Sequence, residues 1–260
     1  MHPNRKYKLN ENFFNEIDTE EKAYWLGYVL ADGCVHQRTL TIYIKGSDKK
    51  HLAKFLKDIQ SEHPIYKSNK KYIYKGEVKI SNGYEINVTS VILIKDLIKL
   101  GITPNKTLTV KIPKVREDLR KHMWRGIFDG DGSISSDLHN IQMHGTKEVI
   151  IEFCNILKKL GCKYRYVPRK DINHAEFQMC GERNTVKALT YLYKNSTIYL
   201  DRKFKLYQKK LSKGFRYYTD TVKQKALNLL KVKSTFKEVA DIIGCSPVTI
   251  RQWYIKNIGK

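Results

Sequence analysis

Acidic residues are scarce in this chain of 260 residues: 26 Asp and Glu face 49 Lys and Arg, leaving a formal net charge of +23. Such a deficit points to a polyanionic partner, because phosphates bound by Lys and Arg release their condensed counterions. Cysteine is sparse and unpatterned. Cys34, Cys154, Cys162, Cys180 and Cys245 form no CxxC pair and no Cys/His cluster of zinc-site spacing. That argues against structural zinc and a disulfide framework, and for reduced thiols. No apolar run approaches the length needed to span a bilayer, and the opening MHPNRKYKLNENFF lacks the apolar core of a secretory signal. Lipidation motifs and a basic amphipathic tail are missing as well. The expectation is a soluble, intracellular protein with no membrane partner, long enough for one large domain or two to three small ones.

What is present is a ten-residue phrase that occurs twice, YWLGYVLADG at 24 to 33 and MWRGIFDGDG at 123 to 132. Each copy carries Trp (Trp25, Trp124), Gly (Gly27, Gly126), a small residue four further on (Ala31, Gly130), and then Asp-Gly (Asp32-Gly33, Asp131-Gly132). Spacing of i, i+4 puts the two small residues on one helical face, where a second helix backbone can approach closely. Gly27 and Gly126 are therefore expected at a helix–helix interface. Gly33 and Gly132 read as helix stops, which leaves Asp32 and Asp131 in the last turn. A carboxylate there meets the negative end of the macrodipole, an unfavourable contact of roughly 0.3 to 1 kcal/mol. A divalent cation reverses the sign, because hard cations take carboxylate and backbone carbonyl oxygens, and helix C-termini offer free carbonyls.

Both phrases resemble the signature of the LAGLIDADG homing endonucleases, in which the signature helices pack at a pseudo-twofold interface and the penultimate acid of each motif holds metal. The resemblance implies a two-motif, monomeric chain with metal at Asp32 and Asp131, Mg²⁺ as the working ion, and Ca²⁺ or Mn²⁺ able to substitute in binding. It also implies that the carbonyls of Ala31 and Gly130 face the metal and that a basic residue stands near each site. Lys106 and Lys203, which follow the last helix of each repeat, occupy the matching places. Leu30 replaces the first acid of the family pattern in copy one and Asp129 keeps it in copy two; that acid is not the family's metal ligand.

The order of elements recurs along the chain. After Gly33, residues 39 to 45 alternate as a strand, and SDKKHLAKFLKDIQ reads as an amphipathic helix capped by Ser47, with Leu52, Phe55, Leu56 and Ile59 on one face. Two strands follow in PIYKSNKKYIYK and EVKISNGYEINVTS, with Ser81-Asn82-Gly83 as a turn or bulge. A helix ending at Gly101 closes the first repeat. The second repeat offers a strand at 139 to 144, a helix stopped by Gly161, strands in KYRYVPR and HAEFQMC, and a helix in ERNTVKALTYLYK. Gly46 and Gly145 stand 99 residues apart, as do the two signature aspartates, which suggests that the repeat extends past the motif. The expected fold is α+β: tandem pseudo-twofold αββαββα repeats at 1–115 and 116–212, forming a DNA-binding saddle, with a small all-α helix-turn-helix domain at 213–260.

Basic and aromatic residues interleave in the strands: Arg38, Tyr43, Lys45, Lys67, Lys70, Lys71, Tyr72, Lys75 and Lys79 in repeat one, and Arg165, Arg169 and Lys170 in repeat two. Such a face suits phosphates and base edges in a major groove. Residues 211 to 220 read as a linker, and VKQKALNLLKVK as a helix. Phe236, Ala240, Gly244, Ile250 and Trp253 fall at helix-turn-helix spacing, with Ser246 and Pro247 as N-cap and first residue of the second helix. Val248, Thr249, Arg251 and Gln252 would then read bases. The leading functional expectation is a site-specific double-strand DNA endonuclease with a long target, encoded by a phage, an intron or an organelle. The alternatives are a non-catalytic DNA-binding regulator and an intron RNA maturase bound to folded RNA.

Overall fold

The computed structural model describes residues 6–74, 76–212, 220–232 and 235–258. Two compact units divide the chain, Met1–Lys213 and Gly214–Lys260.

The first unit holds both repeats. Repeat one runs α1 (Glu20–Asp32), β1 (Gly33–His36), β2 (Thr39–Lys45), α2 (Lys49–Asp58), β3 (Tyr66–Tyr74), β4 (Glu77–Thr89) and α3 (Val91–Lys99). Repeat two runs α4 (Glu117–Asp131), β5 (Gly132–Ile134), β6 (Asn140–Gly145), α5 (Lys147–Lys159), β7 (Arg165–Pro168), β8 (Ala175–Cys180) and α6 (Glu182–Tyr193), followed by α7 (Asp201–Ser212). The architecture is α+β, and αββαββα occurs twice. Each repeat builds one antiparallel four-stranded sheet, ordered β1-β2-β4-β3 and β5-β6-β8-β7. Period-two alternation sends Leu40, Ile42 and Ile44 of β2 inward, and Ile141 and Met143 of β6 likewise. Leu52, Phe55 and Leu56 of α2 and Ile59 at its C-cap are buried as the pattern predicts, and Phe153 of α5 packs on Trp124 and Phe177. One continuous apolar core joins the repeats through α1 and α4. The hydroxyls of Thr19, Ser90 and Thr146 cap α1, α3 and α5 by accepting from the backbone N–H of Lys22, Leu93 and Val149.

Several sequence expectations need correction. Ser47 does not cap α2; it lies in a 3₁₀ turn at Gly46–Asp48, and the N-cap, Asp48, makes no side-chain cap bond. Asp48 instead accepts from Arg202 at 2.7 Å. Ser81-Asn82-Gly83 is neither turn nor bulge but the middle of β4, where Gly83 pairs with Lys45 on one side and Ser68 on the other. Glycine is needed there because a Cβ would come within 2.3 Å of the Ile44 carbonyl and 2.6 Å of the Tyr43 ring. Gly46 and Gly145 are not equivalent positions. Gly33 pairs with Ile42 but Gly132 pairs with Met143, so the connection between β5 and β6 is longer than that between β1 and β2, and the registers diverge. The first strand of each αββαββα repeat, which the sequence expectation left without residues, is β1 or β5, and the helix α7 lies outside that expectation.

The second unit contains α8 (Asp220–Lys231), α9 (Phe236–Ile243) and α10 (Pro247–Ile258), with Ala226, Val239, Ala240 and Ile250 as its buried centre. Thr235 and Glu238 form a reciprocal capping box at α9. Gly244 ends α9 at φ 73°, a left-handed conformation that favours glycine. Ser246 Oγ accepts from the Thr249 N–H at the start of α10. The expected linker falls largely on 213–219, outside the described residues.

Candidate active site

The two signature helices meet backbone to backbone. A Cβ on Gly27 would sit 2.0 Å from the Met123 carbonyl oxygen, and one on Gly126 would sit 2.0 Å from the Tyr24 carbonyl oxygen. One turn further on, a Cβ on Gly130 would meet the Ala31 Cβ at 2.4 Å and Asp32 Oδ2 at 3.4 Å. The small residues thus occupy one interface, as their spacing predicts, and they bring the two helix ends side by side. Gly33 and Gly132 stop the helices in extended backbone, at φ −77° and −85°, as the chain turns into β1 and β5. Their need for glycine comes from crowding: a Cβ would lie 2.6 Å from the Val29 oxygen and 2.5 Å from that of Phe128.

Asp32 and Asp131 are therefore the last residues of α1 and α4. Both keep an edge open to solvent, while protein atoms crowd their carboxylates on the remaining sides. Burial raises the pKa of Asp32, opposed by a hydrogen bond from Tyr28 and by the charges of Lys203, Lys106 and Arg202. Asp131 is pushed up to about 7, by burial first and then by the like charge of Asp32. Ile127 stands where Tyr28 stands in the other copy, so no hydroxyl reaches Asp131 from that position.

A lysine serves each helix end. Lys106 donates to the Ala31 carbonyl at 3.3 Å, and burial draws its pKa down against the pull of Asp131 and Asp32. Lys203 on α7 is wholly buried and donates to the carbonyls of Phe128 at 2.6 Å, Asp129 at 2.8 Å and Gly132. Burial lowers its pKa to about 8. Each cation answers carbonyls at the negative end of its helix, and the Phe128 oxygen also accepts from the Gly132 N–H. All three N–H donors of Lys203 have carbonyl partners at the end of α4, and its charge acts on both Asp32 and Asp131. Lys106 is only part-buried, and the Ala31 carbonyl is its one hydrogen-bond partner among the described residues.

Sequence reasoning missed the support beneath the aspartates. Asp129 is buried and accepts from Tyr24 Oη at 2.7 Å, Tyr193 Oη at 2.5 Å and the Leu200 N–H at 2.8 Å. Tyr24 Oη also meets His51 Nε2 at 3.0 Å. Burial takes the His51 pKa down to about 3, so the ring is neutral, and its Nδ1 has no hydrogen-bond partner among the described residues. Leu30, at the matching place in α1, is simply core. Only the acid–leucine mismatch in the signature hinted at this asymmetry.

The donors at the two helix ends fit a hard cation. Among the described residues no three His, Cys, Asp or Glu side chains converge as a ready-made cage. Two adjacent carboxylates with nearby carbonyls instead match Mg²⁺, which uses one or two carboxylates and leaves positions for water and phosphate.

The strand residues sort into two faces. Register places Lys45, Lys70, Tyr72 and Lys79 with Tyr43 on the face away from the core. Lys67 and Lys71 pair with Tyr84 and Ile80 on the opposite face, which corrects the expectation of one shared basic surface. Tyr43 is largely engaged, donating to Ser81 O at 2.7 Å under the Lys70 ammonium. Arg38 lies in the turn between β1 and β2, and Lys75 lies outside the described residues. In repeat two, Arg165 points away from the core opposite Gln178, whereas Arg169 and Lys170 are exposed just past β7. On α10, Val248, Arg251 and Gln252 are exposed, and Thr249 is half-buried with its hydroxyl 2.9 Å from that of Ser246.

No family model matches the chain. Over 152 residues it is 30% identical to the replication factor C small subunit of Methanocaldococcus jannaschii; that stretch is 57% of this chain and 8% of the relative, so the chain spans only a small fraction of the protein it matches. Among solved structures it is similar to the homing endonuclease I-WcaI bound to its DNA recognition sequence, with 16% identity and a TM-score of 0.49 over 79% of this chain and 94% of the other. It is also similar to full-length WhiA from Thermatoga maritima, with 10% identity and a TM-score of 0.46 over 95% of this chain and 94% of the other.

Proposed function

We propose that this protein is a metal-dependent, site-specific double-strand DNA endonuclease. The observation that carries the reading is the pair of carboxylates, Asp32 and Asp131, set side by side at the ends of two helices whose glycines allow backbone contact. A fold gains nothing from placing two mutually repelling acids at two helix C-termini. The resemblance of both phrases to the LAGLIDADG signature supports the same reading. Asp32 and Asp131 would hold Mg²⁺, which supplies Lewis-acid stabilisation of phosphoryl charge and a more acidic bound water. Tyr28 orients the Asp32 carboxylate, Lys203 locks the end of α4, and Lys106 is the cation able to turn from a carbonyl to a phosphate. The outward basic residues of both sheets, with Arg169 and Lys170, hold the duplex by its phosphates, in keeping with the charge of +23. The helices α9 and α10 act as a second DNA contact through Val248, Arg251 and Gln252, raising affinity without touching the chemistry.

The test is cleavage of a plasmid library in Mg²⁺ by the wild-type protein and by Asp32→Asn and Asp131→Asn. Linear product from the wild type alone is expected, each variant losing on the order of 100-fold or more in double-strand cutting, with duplex affinity retained. Wild-type cutting rates in either variant would remove the assignment, and binding without any cutting by the wild type would leave a DNA-binding regulator.

A further inference from the structure

The outward faces of the two sheets carry the same row of positions with different chemistry. In repeat one the row next to the aspartates is Cys34, Thr41 and Asn87. Its polar groups answer one another: Thr41 Oγ1 donates to Asn87 Oδ1 at 2.6 Å, and Asn87 Nδ2 donates to Glu85 at 3.2 Å. Thr39 and Thr89 are likewise paired at 3.0 Å. Beyond them the face is lysine and tyrosine, with Lys70 and Lys79 beside the carboxylates of Glu85 and Glu77. Such surface pairs are weak and yield readily to phosphate.

In repeat two the matching row is Ser133, Gln142, Gln178 and Arg165. Gln178 donates to Glu176 at 2.8 Å, but Gln142 and Arg165 have no side-chain partner among the described residues. Both border an open recess of about 710 Å³ with Asn140 and Lys163, where β7 starts short of the end of β8. An amide and a guanidinium are the side chains that make bidentate contacts with base edges, Gln with adenine N6 and N7, Arg with guanine N7 and O6. A lysine is a flexible point charge that meets phosphates along the whole face, and a contact to phosphate carries no sequence information.

We infer that the repeats divide the work of DNA recognition: Gln142 and Arg165 of repeat two read purine edges in the major groove, while the sheet of repeat one grips its half of the duplex mainly by phosphates. The inference rests on the proposed function only for the presence of duplex DNA. It predicts a target that is informative on one side of the cleavage centre and permissive on the other.

The experiment is selection of full-length protein on a randomised DNA duplex in EDTA, where binding is scored without cutting. A lopsided profile is expected. Gln142→Ala and Arg165→Ala should each flatten preference at one or two neighbouring positions by roughly 10- to 100-fold. Lys45→Ala and Lys70→Ala should weaken all sequences alike and reduce the salt dependence. Equal information on both sides, or an unchanged profile in both Gln142→Ala and Arg165→Ala, would overturn the division of labour while leaving the nuclease intact. Failure to retain any duplex would overturn DNA binding itself, and this inference with it.

Discussion

The two signature copies begin with nearly the same words and end in different surroundings. In copy one Asp32 has a tyrosine hydroxyl beside it and Lys106 loosely attached to the helix end; in copy two Asp131 has Ile127 in that place and a lysine buried against three carbonyls. Beneath them, Leu30 of α1 fills core while Asp129 of α4 gathers two tyrosines and a backbone amide. The sheets differ in the same way: β3 and β4 form a long ribbon of lysine and tyrosine, whereas β7 and β8 are short and carry amide and guanidinium groups. A duplicated frame thus preserves what the interface needs, namely small residues and the paired acids, and leaves the surroundings of each half free to diverge.

The strongest way to break the comparison is to part the helices. Gly126→Leu drives a side chain into the Tyr24 backbone, an overpacking of about 3 kcal/mol or more that should lower the urea midpoint sharply and abolish cutting. Gly76→Ala, at a positive φ with no neighbour within 4 Å, should by contrast cost only about 1 kcal/mol. An unchanged midpoint in Gly126→Leu would contradict close packing.

Chemical inequality of the halves is sharpened by Tyr28→Phe, which removes the hydroxyl from Asp32 and has no counterpart in copy two. One strand should then be cut about 10-fold more slowly, so that nicked plasmid accumulates, with duplex affinity unaltered. Equal slowing of both strands would refute the assignment of Tyr28 to one half.

A smaller effect is expected from ending the chain after Ser212. The first unit should stay folded and cut the same phosphates but require lower salt, the slope of log affinity against log salt falling by about one for each phosphate that the second unit neutralises. Cleavage that keeps its full salt tolerance would remove the second unit from DNA binding.

The last effect is one of pH. Burial first, and then the like charge of Asp32, push the Asp131 carboxyl up to about 7. For a carboxyl raised above its unfolded value, the stability contribution is present at low pH and lost as pH rises through the folded value. Mg²⁺ relieves that loss, so its stabilisation should grow between about pH 6 and about pH 8, and the growth should shrink in Asp131→Asn. Thermal melts with and without Mg²⁺ across that window measure it.

Much of the frame was legible because it is written in local spacing. Small residues at i, i+4, Asp-Gly at the helix end, and the apolar stripe of α2 each follow from helical geometry alone. The alternation of β2 announced its buried and exposed faces in the same way. The basic face was half legible: lysines were visible, but the side to which Lys67 and Lys71 turn depends on their pairing with Tyr84 and Ile80 across a strand. Gly83 showed the same limit, since its need for a missing side chain arises from the Ile44 carbonyl on the neighbouring strand and not from a turn.

By itself the sequence determined the repeat, the interface glycines and the two acids, because these obey periodicities of 3.6 and 2 that no distant contact can shift. Tertiary structure alone decided that Lys203 would be buried against the end of α4 and that Asp129 would find Tyr24 and Tyr193. Most of those partners lie far apart in the chain, and the burial that sets their charge and hydrogen bonding exists only once both repeats share one core.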